Sequence, residues 1–237
     1  DPANDTYVII GNNGTGKTNI LEALSSVFSV LLAHSQDFLF SFVLRYNIGD
    51  VEYWVRHKID TKTTEYKKNN EVVNEAGMTY PNRIVCNYSG EDTRMWNNYY
   101  KKPNEDYMNS VRTAAAPDVL SMVYIDKTMW KYVLLCMLTT RNMNVAFDRF
   151  LKEKLHIASD GINTVEMKLD EAKLRRWRAE NQITLFLNQL RHRLGSNEVL
   201  ASSNVEDFNP NEDDARELFN KFIGASQVID SLNRYYN

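Results

Sequence analysis

The chain has 237 residues, 43% apolar and 25% charged, and a net charge of −3 from 28 basic and 31 acidic side chains. That balance fits one large domain, or a domain with a sizeable insertion, and excludes a collagen-like, mucin-like or wholly disordered chain. A slightly acidic chain is not a nucleic-acid coat, so contact with nucleic acid would have to come from a local patch. Cys86 and Cys136 stand far apart, which argues against a disulfide scaffold or cysteine zinc site and points to a reducing, cytoplasmic setting. No run approaches the ~18 apolar residues of a membrane helix, so no membrane partner is expected. The polar start Asp1-Pro2-Ala3-Asn4-Asp5 does not read as a signal peptide.

In chain order, Tyr7-Val8-Ile9-Ile10 reads as a short buried strand. Ile20, Leu21, Ala23, Leu24, Val27 and Phe28 then recur at helical spacing, so an amphipathic helix is predicted from about Asn19 through Leu32. The period next changes to two. Phe40, Phe42, Leu44, Tyr46 and Ile48 alternate with polar neighbours, and Val51, Tyr53, Val55, His57 and Ile59 do the same after Gly49-Asp50. Two such runs around Gly-Asp predict an antiparallel hairpin. Strands near residues 63–66 and 71–73, turning at Asn69-Asn70, extend it, and 83–86 is a further short strand. From about Tyr107 the pattern is mostly helical. Helices are predicted over 131–155, 173–194 and 215–235, with a possible strand at 162–169.

Between the first strand and helix, Gly11-Asn12-Asn13-Gly14-Thr15-Gly16-Lys17-Thr18 satisfies G-x-x-x-x-G-K-[ST] in full. Glycine is scarce here, nine in the chain, so three in one loop are chemically pointed. They allow the tight bend that turns backbone N–H groups inward around phosphate oxygens. The following helix adds the positive end of its dipole, ~+0.5 of a charge. Lys17 is the candidate catalytic group, reaching the β- and γ-phosphates, and Thr18 would place its hydroxyl on Mg²⁺. ATP and Mg²⁺ are the expected ligands.

Gly11 to Leu24 resembles the ABC-type ATPases of the SMC, RecF and OLD group, which read G-x-N-G-[ST]-G-K-[ST]-N-[IL]-[LF]-E-A-[IL]. Asn13, Asn19, Glu22 and Ala23 are the discriminating matches, which adds Asn19 to the nucleotide-binding set Gly11 to Thr18. The resemblance implies an α/β fold: a P-loop NTPase lobe of ABC type with an antiparallel β subdomain over residues 1–100, followed by a mostly helical lobe or insertion over 101–237. It implies nucleotide-driven dimerisation or assembly, with an effector protein or nucleic acid as further partners. By family association, prokaryotic members of this layout serve repair or anti-phage defence and restriction-associated systems.

The resemblance also calls for a water-positioning residue, a signature loop, a strand ending Asp-Glu and a switch histidine. Residues 83–91 stand where the first belongs but offer Asn87, Ser89 and Glu91 instead of Gln. Tyr88-Ser89-Gly90-Glu91 is the nearest approach to a signature, and Met122-Val123-Tyr124-Ile125-Asp126, followed by Lys127, the nearest acidic strand end; Val228-Ile229-Asp230 is weaker still. The expectation is therefore the N-terminal half of a longer ATPase, or one that binds without turnover.

His34, His57, His156 and His192 have no ligand spacing, and Glu22 reads as structural. Arg175, Arg176, Arg178, Arg191 and Arg193 around Trp177 read either as a solvated helix face or as a nucleic-acid contact. Trp96, Tyr99, Tyr100 and Tyr107, beside Lys101 and Lys102, read as packing under the β lobe, an adenine platform or a partner contact. Three functions follow. The first is an ATPase whose dimerisation clamps nucleic acid. The second is a nucleotide-binding scaffold that holds and releases a nuclease or toxin. The third is a small-molecule P-loop kinase, against which the long hairpin after the first helix argues.

Overall fold

The alternating apolar residues after the first helix fold as the expected hairpin. In the computed structural model, which describes residues 9–10, 12, 16–87, 93–117, 119–158, 162–195, 199–202 and 204–236, β1 (Phe42–Ile48) runs antiparallel to β2 (Val51–Lys58). Leu44 stands opposite Val55, and Tyr46 opposite Tyr53. β3 (Thr63–Lys68) and β4 (Glu71–Val73) complete a four-stranded antiparallel sheet in the order β1-β2-β3-β4. Asn69 and Asn70 both take left-handed φ (48° and 66°), which a two-residue hairpin turn demands and asparagine tolerates. Period two puts Tyr53, Val55 and His57 on one buried face.

α1 (Lys17–Leu32) lays Val27, Phe28 and Leu31 into one core with Phe38, Val55, Tyr66, Met95, Tyr100 and Met122. Each such fully buried side chain contributes ~1.5–3 kcal/mol. The first half of the helix differs from its pattern. Ile20, Leu21 and Leu24, expected on the buried face, are 46%, 44% and 42% exposed. Ile20 and Leu24 line an open groove of about 330 Å³ with Phe40, Phe42 and Val43 along β1, so nothing covers them there. The strand expected over residues 7–10 is also corrected where it can be seen. Tyr7 and Val8 lie outside the described residues; Ile9 and Ile10 are not in a strand, and Ile10 is 90% exposed. An apolar run becomes a buried strand only beside a ladder partner, and none flanks it among the described residues.

β5 (Ile84–Asn87) pairs with β6 (Met122–Ile125) in a two-stranded sheet, and the Ile84 amide donates to the Ser121 carbonyl at 2.8 Å. A π-helical turn, Trp96–Tyr100, runs straight into α2 (Lys101–Thr113). The chain forms two compact units. One takes the described residues of Asp1–Cys86, Gly90–Pro103 and Ser121–Tyr124; the other takes those of Asn87–Ser89, Asn104–Leu120 and Ile125–Asn237.

The second unit adds an antiparallel sheet to its helices, and the strand expected at 162–169 is part of it. The sheet order is β8-β7-β9, with β7 (Ile162–Leu169) between β8 (Val199–Ser202) and β9 (Ile229–Tyr236). Val165 and Met167 of β7 are completely buried. The expected helix 215–235 stops early: α7 (Ala215–Ala225) gives way to β9, where Leu232 pairs with Met167 and Ser231 with Lys168. Capture of this segment by the edge of β7 overrides its local helical pattern. α7 lies close against α6 (Gln182–Leu194). A β-carbon on Gly224 would come within 2.8 Å of Ile183, so the approach requires glycine.

The two other long helices expected here are each broken, and asparagine marks both restarts. Residues 131–155 divide into α3 (Trp130–Thr140) and α4 (Val145–Glu153). Thr139 and Thr140 turn their hydroxyls back onto the Leu135 and Cys136 carbonyls, and Asn144 then caps α4. Residues 173–194 divide into a single turn, α5 (Glu171–Leu174), and α6, which restarts at Asn181. Asn181 is 3% exposed. Its side-chain oxygen accepts from the Ile183 and Thr184 amides, and its Nδ2 donates to the Val111 and Ala114 carbonyls at 2.7 and 3.0 Å. It ties α6 to the end of α2. Asn181→Ala is expected to lower stability by about 2–4 kcal/mol, since it removes a cap and orphans two carbonyls. The half-buried cap change Asn144→Ala should cost about 1 kcal/mol, both measured by urea unfolding.

Candidate nucleotide site

Helices α4, α5, α6 and α7 begin under the side chains of Asn144, Asp170, Asn181 and Asp214, each accepting from backbone N–H groups of the first turn. α1 begins differently, as does α3 at Met129. The N-cap of α1 is Gly16, which offers no side chain, and its first turn contains no acid. The positive end of this helix is therefore neither capped nor neutralised by its own residues, the condition for holding an external anion. Gly16 sits at φ 84°, ψ 15°, in the left-handed region. The nearest atom to a β-carbon there would be Asn19 Nδ2, at 3.7 Å, so the dihedral and not crowding calls for glycine.

Lys17 opens the helix, and its Nζ donates to the Asn12 carbonyl at 2.7 Å, which brings the ammonium back along the loop. Thr18 follows, half-buried, and Asn19 is exposed. Gly11, Asn13, Gly14 and Thr15 of the predicted set lie outside the described residues. The part that can be seen is the helix entrance, with its left-handed glycine, lysine and threonine in consecutive positions.

Behind this entrance α1 is braced on one side. Glu22 forms an ion pair with Arg94 at 2.8 Å, and Ser25 shares a buried hydrogen bond with the Tyr100 hydroxyl at 3.0 Å. Burial pushes the Tyr100 phenol up to about 12 despite the Ser25 hydrogen bond, so it stays protonated through the physiological range. Tyr99 is also raised, by burial and then by the Glu22 carboxylate. Trp96 and Tyr100 pack against Tyr124, with ring centroids 5.8 and 5.4 Å away. Trp96, Tyr99 and Tyr100 thus serve as core under α1, and Tyr107 is buried in the second unit. The bracing residue the sequence reading missed is Arg94. Glu22 sits within the motif, but nothing in the pattern marks an arginine so distant as its partner.

Asp126 follows the end of β6, as the acidic strand end was expected to. Its Oδ1 accepts from the Thr128 hydroxyl at 2.6 Å and from the Thr128 and Met129 amides at 2.8 and 3.0 Å. Burial pushes this carboxyl up, but those hydrogen bonds outweigh it and hold the pKa below the usual value. It is engaged in the turn that leads to α3. Asn87 closes β5, Asp230 lies exposed on β9, and Tyr88, Ser89, Gly90 and Glu91 lie outside the described residues. His57 is a core histidine, its Nδ1 3.0 Å from Thr64 Oγ1, with its pKa lowered by burial. Among the described residues, no group of three His, Cys, Asp or Glu comes together to hold a metal ion.

The arginine stripe is corrected. Arg175, Arg176 and Arg178 lie in the irregular stretch before Asn181. On α6, Arg191 pairs with Glu171, and Arg193 with Asp207 at 3.0 Å. The break at residues 175–181 separates what a continuous helix would have aligned.

Residues 7–111 match the family model described as "AAA domain, putative AbiEii toxin, Type IV TA system". This stretch is similar to AAA domains. It includes the uncapped entrance of α1, the four-stranded sheet and most of α2, and the family implies an α/β P-loop fold that binds nucleotide. The match spans less than half of the chain. No curated protein and no solved structure matches it. Among the described residues, no helix is long and apolar enough to cross a membrane.

Because α1 must be held still for its first turn to receive an anion, Tyr100→Phe is expected to cost about 1 kcal/mol by leaving Ser25 without its buried partner. Glu22→Gln, at an ion pair with a half-exposed arginine, should cost less than about 0.5 kcal/mol. Thermal unfolding of the two variants checks the ordering.

Proposed function

We propose that the chain is an ATPase subunit of ABC type, similar to the SMC, RecF and OLD group, whose nucleotide-dependent assembly serves anti-phage defence or DNA maintenance in the cytoplasm. The observation that carries the nucleotide reading is the start of α1: a helix that begins at left-handed Gly16 without a capping side chain, followed at once by Lys17 and Thr18. The backbone amides from Gly11 to Asn19 would hold the triphosphate. Lys17 would leave the Asn12 carbonyl for the β- and γ-phosphates, and Thr18 would offer its hydroxyl to Mg²⁺. When bound, Mg²⁺ would neutralise charge on those phosphates. The family description supports a defence context, and the uncovered apolar positions Ile20, Leu21 and Leu24 support assembly with a further copy.

A second reading is a nucleotide-binding scaffold that holds and releases an effector, a nuclease or toxin, with little turnover. One observation favours it: the Asp126 carboxylate is occupied by Thr128 and Met129, and Lys127 stands where a catalytic Glu would follow. Binding and phosphate release separate the two readings. Wild-type protein is expected to bind a fluorescent Mg-ATP analogue. Lys17→Ala should weaken that binding at least about ten-fold, and Thr18→Ala should abolish the contribution of Mg²⁺. Equal binding by wild type and Lys17→Ala would refute the site. Binding without phosphate release, in the wild type, selects the scaffold.

A further inference from the structure

A second concave site lies within the second unit, in a stretch that the ATPase reading leaves unused. The turn after α5 folds back on the end of α2: the Arg178 amide donates to the Arg112 carbonyl at 3.1 Å, and the Trp177 amide to the Leu174 carbonyl at 3.0 Å. Between them opens a groove of about 530 Å³. Four of its lining side chains are cations, Arg112, Lys173, Arg176 and Arg178, and none is an acid. Asp170 takes up part of the Lys173 charge, at 2.9 Å, and Arg112 bonds the Asn109 amide oxygen at 3.1 Å. Among the described residues, Arg176 and Arg178 have no acidic partner. In a chain whose net charge is −3, this concentration of positive charge in one concavity is segregated, not average.

Charge alone would suit any anion, and the rest of the lining narrows the class. Trp177 stands among the cations, half-buried, with its amide fixed in the turn. The side-chain amides of Asn109 and Gln227 complete the wall. A flat indole, planar guanidinium groups and two amides match a ligand that alternates phosphate with a planar, hydrogen-bonding ring. The volume suits one or two nucleotides, and a base inside a duplex would not be free to stack.

We propose that this groove binds single-stranded nucleic acid, its phosphates on Arg112, Arg176 and Arg178 and a base stacked on Trp177. The inference stands on its own geometry and does not depend on ATP binding at Gly16 to Thr18. The surface is assembled from three segments remote in sequence, so the arginine run alone under-reports it.

The test uses the full chain and a fluorescein-labelled oligothymidylate of about 15 nucleotides, followed by anisotropy. Wild type should bind it, with indole fluorescence quenched. The double change Arg176→Ala with Arg178→Ala should weaken binding at least about ten-fold and flatten the salt dependence by about one unit of slope per cation. Trp177→Phe should remove the quench while retaining part of the affinity. An unchanged circular-dichroism spectrum and unfolding midpoint in these variants would show an intact fold. Four results overturn the proposal: no binding by wild type; equal binding by the double variant; an equal loss when Lys101 and Lys154 are changed instead; or a duplex, thymidine monophosphate or an acidic peptide that binds as tightly as the strand.

Discussion

The structure turns on a helix that starts with nothing of its own at its positive end. A helix leaves its first amides without intrahelical partners, and proteins usually meet that need with a side chain. This chain does so repeatedly, at Asn144, Asp170, Asn181 and Asp214. At Gly16 it does not. The residue there is one that carries no side chain and accepts a left-handed backbone, and the next two are a cation and a hydroxyl. Four helices are capped by Asn or Asp, whereas α1 and α3 start without a side-chain cap; what sets α1 apart is a left-handed glycine followed at once by a cation and a hydroxyl, an arrangement suited to an anion from outside.

An open helix end is useful only if the helix is held. The second half of α1 does this, with Val27, Phe28 and Leu31 packed against the four-stranded sheet and the Trp96–Tyr100 turn. The Ser25–Tyr100 hydrogen bond and the Glu22–Arg94 ion pair fix its rotation. The first half carries apolar residues that stay exposed along β1. The helix is thus anchored at its far end and uncovered near the loop.

Local chemistry made some of this legible. Period-two alternation and the Asn69-Asn70 turn were enough to place β1 to β4, because each strand's partner is its neighbour in sequence. The phosphate-loop motif located the helix entrance. What could not be read depends on distant partners. β9 looks helical until β7 captures it, and the exposure of Ile10 reflects the lack of a ladder beside it among the described residues. The helix breaks at 141–144 and 175–181 are not legible although Asn144 and Asn181 are both good caps, because neither stretch contains a Gly or Pro to mark them. The same break explains why an apparent arginine stripe divides: Arg191 and Arg193 enter ion pairs, whereas Arg176 and Arg178 join Arg112 at a groove.

The central claim, that a triphosphate is gripped by the amides at the head of α1, can be observed at those amides. Backbone NMR of the isotopically labelled chain, titrated with Mg-ATP, should show its largest amide shifts at Gly16, Lys17 and Thr18, with smaller ones fading along the first turn of α1. Shifts that leave those three residues unmoved, or that cluster elsewhere in the chain, would contradict the account.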